Sequence, residues 1–172
     1  MPLLLNTKQE AAASNSMGFT ADIAIERELT IPCGMEIVFA LLSDVPRSAS
    51  YFPKVDRLVD LGGNVFSWEM EKIGIGGYTL QQTIYACQYR ADKAAGVVSW
   101  IPVEGVGNAA VEGEWVVKPN GAGTSVTLKT KGVLSVDFPS FLQFMLSPLI
   151  VMEFTGMVDR YIANLKAAFE RL

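Results

Sequence analysis

Hydrophobic and polar residues alternate along much of the chain between Phe19 and Val136, which is the period of β-strands. The alternation is clearest in residues 65–73, where Phe66, Trp68 and Met70 share one face and serine and glutamate occupy the other. Glycine-, proline- and asparagine-rich turns divide the region into segments. The pattern predicts seven strands, at 19–31, 55–61, 65–73, 78–90, 97–103, 109–118 and 124–136.

Two short helices are predicted between the first two strands. Pro32 closes the first strand, and residues 33–43 then carry apolar side chains at helical spacing. Asp44 and Pro46 interrupt this segment and begin a second helix that runs to about Tyr51.

The last segment, 138–172, predicts either one long helix or a short and a long helix hinged at Pro148. Proline lacks the backbone N–H and its ring clashes one turn back, so we expect a kink or break there. Beyond it, six residues recur at three- and four-residue steps and share one face: Phe154, Val158, Tyr161, Ile162, Leu165 and Phe169. Before it, the segment is apolar nearly all round, so protein, ligand, partner or membrane must cover it.

The order of elements predicts a single α+β domain over residues 19–172. Consecutive strands joined by short turns pair antiparallel, and the terminal helix is the element able to cover the apolar face of the sheet. We therefore expect a β-α-α-β6-α arrangement, a curved antiparallel sheet around a long C-terminal helix with the concave side partly held open. Residues 1–18 lack a sustained period and predict a disordered or loosely docked tail.

The composition limits the kinds of partner that the protein can bind. Half of the 172 residues are apolar, enough to line a cavity as well as fill a core. The net charge of -4, with scattered lysines and arginines, argues against nucleic acid. No uninterrupted apolar run approaches the ~20 residues of a membrane-spanning helix, and the N-terminus makes a poor signal peptide. With two cysteines, Cys33 and Cys87, we expect free thiols and a cytoplasmic protein.

The sequence contains no histidine, and this limits the chemistry. It removes the usual general base near neutral pH, the serine–histidine and cysteine–histidine nucleophile pairs and most zinc sites. We predict no metal site and no cofactor, and the sequence assigns no catalytic residue.

Three local motifs, in this order, carry a family resemblance. The opening segment IPCGMEIVFALLSDVPRSASYFPKV ends in Phe52-Pro53, and VEGEWVVKPNGAGTSVTL carries a Gly-x-Trp, turn, Gly-x-Thr hairpin. With the C-terminal helix, they resemble the START-like (SRPBCC, helix-grip) superfamily over about residues 19–172, most closely its polyketide cyclase/dehydrase and lipid-transport-like group. The resemblance implies a helix-grip fold that binds apolar ligands between sheet and long helix, although fold alone does not give function.

The candidate ligand-binding residues are mostly large and apolar. On the strands we expect aromatic and methionine walls, and Gln82 and Tyr85 as polar groups on a strand whose inward face the sequence leaves undecided. The full set is Phe66, Trp68, Met70, Gln82, Tyr85, Trp100 and Trp115 on strands, and Phe141, Met145, Phe154 and Met157 on the last helix. An ordinary filled core is the competing interpretation, and the neighbouring glutamates at 69, 71, 112 and 114 favour solvated strand charges over acid–base pairs.

These observations predict a protein that binds a hydrophobic small molecule, such as a lipid, a polyketide-like compound or an isoprenoid, as a carrier or sequestering protein. Polyketide cyclase or dehydratase activity is the alternative. A second alternative is a docking module, in which residues 141–154 contact a membrane peripherally or bind a partner. The ligand and the oligomeric state stay open.

Overall fold

The structure is a computed structural model, and it describes residues 18–172. The predicted tail therefore lies outside the described residues, apart from Gly18. The strands are β1 (Phe19–Ile31), β2 (Val55–Gly62), β3 (Val65–Met70), β4 (Ile73–Ile75), β5 (Tyr78–Gln81), β6 (Ile84–Asp92), β7 (Val97–Gly107), β8 (Ala109–Asn120) and β9 (Gly123–Val136). The helices are α1 (Met35–Ser43), α2 (Val45–Ala49) and α3 (Gln143–Glu170), with a 3₁₀ turn at Ser140–Leu142.

Seven of these strands form one antiparallel sheet in the order β1-β9-β8-β7-β6-β3-β2. The first and last strands in sequence pair along their whole length, from Phe19 opposite Val136 to Ile31 opposite Thr124. Six strands of this sheet follow the short helices, and together with the covering terminal helix they confirm the predicted α+β helix-grip fold.

The predicted strand 78–90 is wrong as a single element. Residues 73–81 instead form a separate two-stranded hairpin, β4–β5, and the main sheet resumes at Ile84. The Asn108 side chain takes over the backbone bonds at the break, accepting from Ile84 N at 2.9 Å and donating to Gln82 O at 2.8 Å. The buried Gln81 amide donates to Ser135 O at 3.2 Å, which fixes the base of the hairpin.

Helix α1 and helix α2 close one end of the sheet, as predicted. Asp44 separates them and caps α2, because its carboxylate accepts from the Arg47 backbone N–H at 3.2 Å and Pro46 lies in the first turn. The apolar side of α1 is buried against the sheet through Val38, Leu41 and Leu42.

Helix α3 runs unbroken through Pro148, so the first of the two predicted forms is correct. Proline at the sixth position removes a single bond, the one to Phe144 O, and Phe144 is exposed, so water can satisfy that carbonyl. The buried face of the helix contacts the concave side of the sheet through Leu146, Ile150, Phe154, Met157, Val158, Tyr161, Leu165 and Phe169.

Candidate functional site

The sheet, α1, α2 and α3 line a partly open cavity of about 110 Å³. Its walls come from every layer of the fold: β1, β3, β6, β7, β8 and β9 supply the floor, α1 and α2 one end, and α3 the roof. Aliphatic side chains form much of this lining, among them Ile23, Ile25, Leu42, Val45, Val98, Val111, Leu128, Leu134 and Val158. The cavity is therefore an apolar space within the core, where the fold was expected to hold sheet and helix apart.

Aromatic rings form the rest of the wall. The Trp68 and Tyr85 rings are nearly parallel, with centroids 6.0 Å apart and planes 7° apart. Trp115 meets Tyr161 edge-on at 5.9 Å, so one aromatic contact joins the sheet to α3. Trp100 follows on the next strand, 5.9 Å from Tyr89. Such rings give large contact area at low conformational cost, which suits them to bind a flat or compact apolar ligand.

Three tyrosine hydroxyls supply most of the polarity. The Tyr89 hydroxyl accepts from Trp68 Nε1 at 2.9 Å, and the Tyr161 hydroxyl shares a short hydrogen bond with the buried Ser48 hydroxyl. Within residues 18–172, Tyr85 has no hydrogen-bond partner for its hydroxyl. Tyr85 thus lines the cavity with a hydroxyl that is hydrogen-bonded to no described protein group.

Burial fixes the protonation state of these groups. Desolvation raises the pKa of Tyr85 and of Tyr89 well above the ordinary phenol value, and nearby Cys87 and Tyr161 add to the rise at Tyr85. Desolvation also raises the pKa of Tyr161, opposed in part by the hydrogen bond from Ser48. At neutral pH the three phenols are uncharged, so their hydroxyls can donate or accept hydrogen bonds but do not act as bases.

Charged side chains stay outside the cavity. Lys131 is the ionisable cation in the lining, and its ammonium group is largely exposed and lies 3.0 Å from the Glu112 carboxylate on the outer surface. Glu69 likewise pairs outward, with Arg57 at 2.8 Å, in agreement with solvated strand charges. In the described chain, no group of three or more histidine, cysteine, aspartate or glutamate residues is placed to hold a metal ion.

The cavity lining includes six of the residues predicted to bind ligand. They are Trp68, Met70, Tyr85, Trp100, Trp115 and Phe154. The undecided strand face is also resolved: Tyr85 and Tyr89 point inward, while Arg90 is exposed. Ligand binding at these residues stays a prediction.

The other five predicted residues lie away from the cavity. Phe66 is buried behind Tyr89, on a separate depression near Asp44, and Gln82 uses its amide to donate to Met70 O at 3.3 Å. Met157 is buried in the core without reaching the cavity.

Phe141 and Met145 do not form the expected helical wall of the cavity. These side chains are 73% and 51% exposed, because the buried face of α3 passes through Leu146 and Ile150 instead. Because both side chains lie on the outer surface, on α3 or the 3₁₀ turn before it, they do not line the cavity.

Several lining residues were not predicted to bind ligand. Phe52, Ser48 and Thr83 come from connections and short elements, where no periodicity indicates a direction. Tyr161 carried a usable signal, because its hydroxyl lies on the apolar face of α3, and a polar tip on such a face needs a partner or a ligand.

Comparison with known proteins agrees with this architecture. A family model described as polyketide cyclase / dehydrase and lipid transport matches residues 22–170. No curated protein matches the sequence significantly.

Solved structures share the fold at low identity. The protein TTHA0849 from Thermus thermophilus has a TM-score of 0.63 at 21% identity, over 87% of this chain and 97% of that chain. A START superfamily protein from Mycobacterium smegmatis has a TM-score of 0.61 at 12% identity, over 86% and 97% of the two chains. The Zhui aromatase/cyclase from Streptomyces sp. R1128 has a TM-score of 0.55 at 18% identity, over 86% and 91%.

At these identities the structural likeness establishes the fold alone. The family model, in contrast, matches the sequence from within β1 to the end of α3, and so includes residues of every element that lines the cavity. The predicted START-like resemblance is confirmed, and the chain belongs to the polyketide cyclase / dehydrase and lipid transport family.

Proposed function

We propose that this protein binds a hydrophobic small molecule in the cavity between sheet and α3, as a carrier or sequestering protein. The observation that carries the proposal is an apolar cavity whose wall contains three tryptophans and, among residues 18–172, no carboxylate. A ligand that loses about 250 Å² of apolar surface to this cavity gains about 6 kcal/mol before association costs.

The test is native mass spectrometry of freshly purified protein. We expect an apolar molecule to co-purify with the wild type. Val158→Phe adds a ring at the cavity wall and should abolish the bound mass, whereas Val133→Phe, at an exposed position on β9, should retain it. A wild-type protein that stays ligand-free, even after incubation with apolar extracts, would contradict the proposal.

Cyclase or dehydratase activity of the polyketide type is the alternative. The neutral phenols of Tyr85, Tyr89 and Tyr161 can polarise a carbonyl oxygen, which favours this activity. Against it, the described lining offers no carboxylate and the sequence no imidazole to accept a proton near neutral pH.

The two activities separate at Tyr85. An enzyme predicts that Tyr85→Phe lowers turnover of the bound compound while the protein stays folded. A carrier predicts that the compound is released chemically unchanged and that the substitution alters affinity only. Mass analysis of the compound before and after incubation decides between them.

A second candidate function concerns the outside of α3. Five large apolar side chains are exposed at helical spacing on α3 and the 3₁₀ turn before it, and we call them the apolar stripe: Phe141, Phe144, Met145, Leu149 and Met152. No charged residue occurs between Asp137 and Glu153. The longest apolar run in the sequence predicts no spanning segment, yet the helical segment Ser140–Glu170 is apolar and long enough to cross a membrane by length and composition. Because its inner face packs on the sheet, we propose peripheral contact of the stripe with a lipid bilayer instead.

Vesicle flotation tests this contact. We expect wild-type protein to float with phosphatidylcholine vesicles and Phe144→Asp to remain in solution, since a carboxylate there opposes insertion into the interface. Ile101→Asp, at an exposed position on β7, is the matched control and should float like the wild type. Equal flotation of all three proteins would exclude the stripe as the contact.

A further inference from the structure

The volume of the cavity limits what it can hold. At about 110 Å³ it is somewhat smaller than an engineered apolar cavity of about 150 Å³ that binds benzene. A compound of several fused rings or a long acyl chain would have to displace packed walls such as Trp100, Trp115 and Phe154, all of them buried. The cavity is partly open, so the space as folded fits about one ring whose small substituent extends toward the opening.

The hydrogen-bonding groups of the wall are unequally occupied. Tyr161 is paired with Ser48, and Tyr89 holds the indole N–H of Trp68. Among the described residues, Ser147 Oγ is the side-chain polar atom that is fully buried and has no hydrogen-bond partner. The Tyr85 oxygen is not in this class. Tyr85 lines the cavity and its hydroxyl has no partner within residues 18–172, so it is the tyrosine hydroxyl of the wall that is available to a ligand.

The position of this hydroxyl is well defined. The Tyr85 ring lies nearly parallel to the Trp68 ring, and Tyr89 holds that indole from its other end. A donor fixed in this way need not lose much conformational freedom when a ligand binds. An acceptor atom on the ligand that reached it would satisfy the one tyrosine hydroxyl of the wall left without a described partner.

Charge selects further. Placing an anion in this lining would remove its hydration with no cation to replace it, because the Lys131 ammonium lies outside beside Glu112. A carboxylate on the ligand is therefore disfavoured, whereas an uncharged carbonyl or ether oxygen is not.

We infer that the cavity selects a neutral ligand about the size of one substituted ring that carries a hydrogen-bond acceptor, and that the Tyr85 hydroxyl donates to this acceptor. The inference rests on the proposed function and adds the chemical class of the ligand. It makes Tyr85 a specificity-determining residue for binding.

Isothermal titration calorimetry with four probes tests it. Acetophenone carries a carbonyl acceptor, ethylbenzene has nearly the same shape without it, benzoate is charged, and 1-acetonaphthone adds a second ring. On the wild type we expect acetophenone to bind about fivefold more tightly than ethylbenzene, in keeping with one net hydrogen bond. Benzoate and 1-acetonaphthone should bind at least about tenfold more weakly than acetophenone, for the desolvation and packing reasons given above.

The variant Tyr85→Phe removes the hydroxyl and keeps the ring. Its affinity for acetophenone should fall about fivefold, to the level of ethylbenzene, while its affinity for ethylbenzene stays unchanged. Tyr78→Phe, at a tyrosine that is 80% exposed on the β4–β5 hairpin, should leave all four affinities unchanged.

The outcomes separate the inference from the function on which it rests. Equal wild-type affinity for acetophenone and ethylbenzene, a measurement that needs no variant, would overturn the role of the acceptor. Tighter binding of 1-acetonaphthone than of acetophenone would overturn the size limit. Failure of every neutral probe, the two-ring ketone included, would overturn the inferred ligand class. The proposed function itself would be overturned only if the wild type also carried no apolar molecule in the mass spectrum.

Discussion

Gly113 shows how a single residue shapes the wall of the cavity. A Cβ atom placed there would lie 2.5 Å from Trp100 Cζ2 and 2.4 Å from Lys129 O, both far inside van der Waals contact. The missing side chain therefore lets the Trp100 indole lie across β8. The Gly-x-Trp motif of the sequence thus has a packing role at Gly113 and a lining role at Trp115.

We expect Gly113→Ala to lower the free energy of unfolding by about 1–3 kcal/mol, because the backbone oxygen cannot move and the indole must shift. Urea-induced unfolding measures the change. Gly156→Ala is the control, since a Cβ atom there meets nothing within 4 Å on the outside of α3. That substitution should stabilise the protein by about 0.5–1 kcal/mol, so a loss of stability in both variants would contradict the packing argument.

Cys87 carries a pH dependence. Burial raises the pKa of its thiol from 9.0 to about 12, since β6 places the sulfur in the core, where it donates to Val111 O at 3.2 Å. A pKa that is higher in the folded state means that folding favours the neutral thiol. Its contribution to stability is complete below pH 9.0 and is lost between pH 9.0 and about 12.

The free energy of unfolding should therefore be flat from about pH 7 to 8.5 and fall above pH 9, with the buried tyrosines adding to the fall above about pH 10. Urea titrations at closely spaced pH values measure it. Cys87→Ala should flatten the part of the curve between about pH 9 and 10, whereas Cys33→Ala serves as the control. A curve that stays flat to pH 11 in the wild type would contradict the burial of these groups.

At the scale of elements, Asn108 decides where the sixth strand begins. Its side chain bonds Ile84 N and Gln82 O, on a strand that precedes it by more than twenty residues. Its own backbone also donates to Ile84 O at 2.9 Å and accepts from Ser135 N at 2.7 Å. One residue thus fastens together the start of β6, the end of β7 and the end of β9.

Asn108→Ala leaves Ile84 N–H and Gln82 C=O without a side-chain partner, and we expect a loss of about 1–3 kcal/mol in stability. Hydrogen exchange at the Ile84 amide should accelerate more than exchange in the middle of β9. The control is Asn120→Ala at the exposed end of β8, where we expect a change within about 0.5 kcal/mol. Unchanged exchange at Ile84 in the Asn108 variant would contradict this role.

The buried face of α3 follows a helical period that is already present in the sequence before Pro148. The predicted inner face ran from Phe154 to Phe169, and the same period extended backwards leads to Ile150 and Leu146. On that phase Phe141 and Met145 fall on the outer side, where the structure places them. Extending the period across Pro148 predicts both side chains at the surface. The hinge expected at the proline interrupts that period, and the two residues were therefore expected at the cavity.

For the whole molecule, the order of elements was predictable because turn residues mark nearly every boundary. The exception, the break at residues 82–83, depends on the distant Asn108 and leaves no local signal. The dimensions of the cavity were not predictable either, because they depend on side chains from nearly every element of the fold. The aromatic part of its wall was largely predictable, because large rings on the apolar face of an alternating strand are buried in the core.

The placement of the indoles has a practical consequence. The chain contains three tryptophans, and Trp68, Trp100 and Trp115 all border the same cavity, on three different strands. Ultraviolet emission from this protein therefore originates almost entirely beside the space that a guest would fill. Ligand binding can therefore be followed by intrinsic fluorescence without a dye. A ligand that shifts the emission wavelength or changes its intensity binds in or next to this cavity.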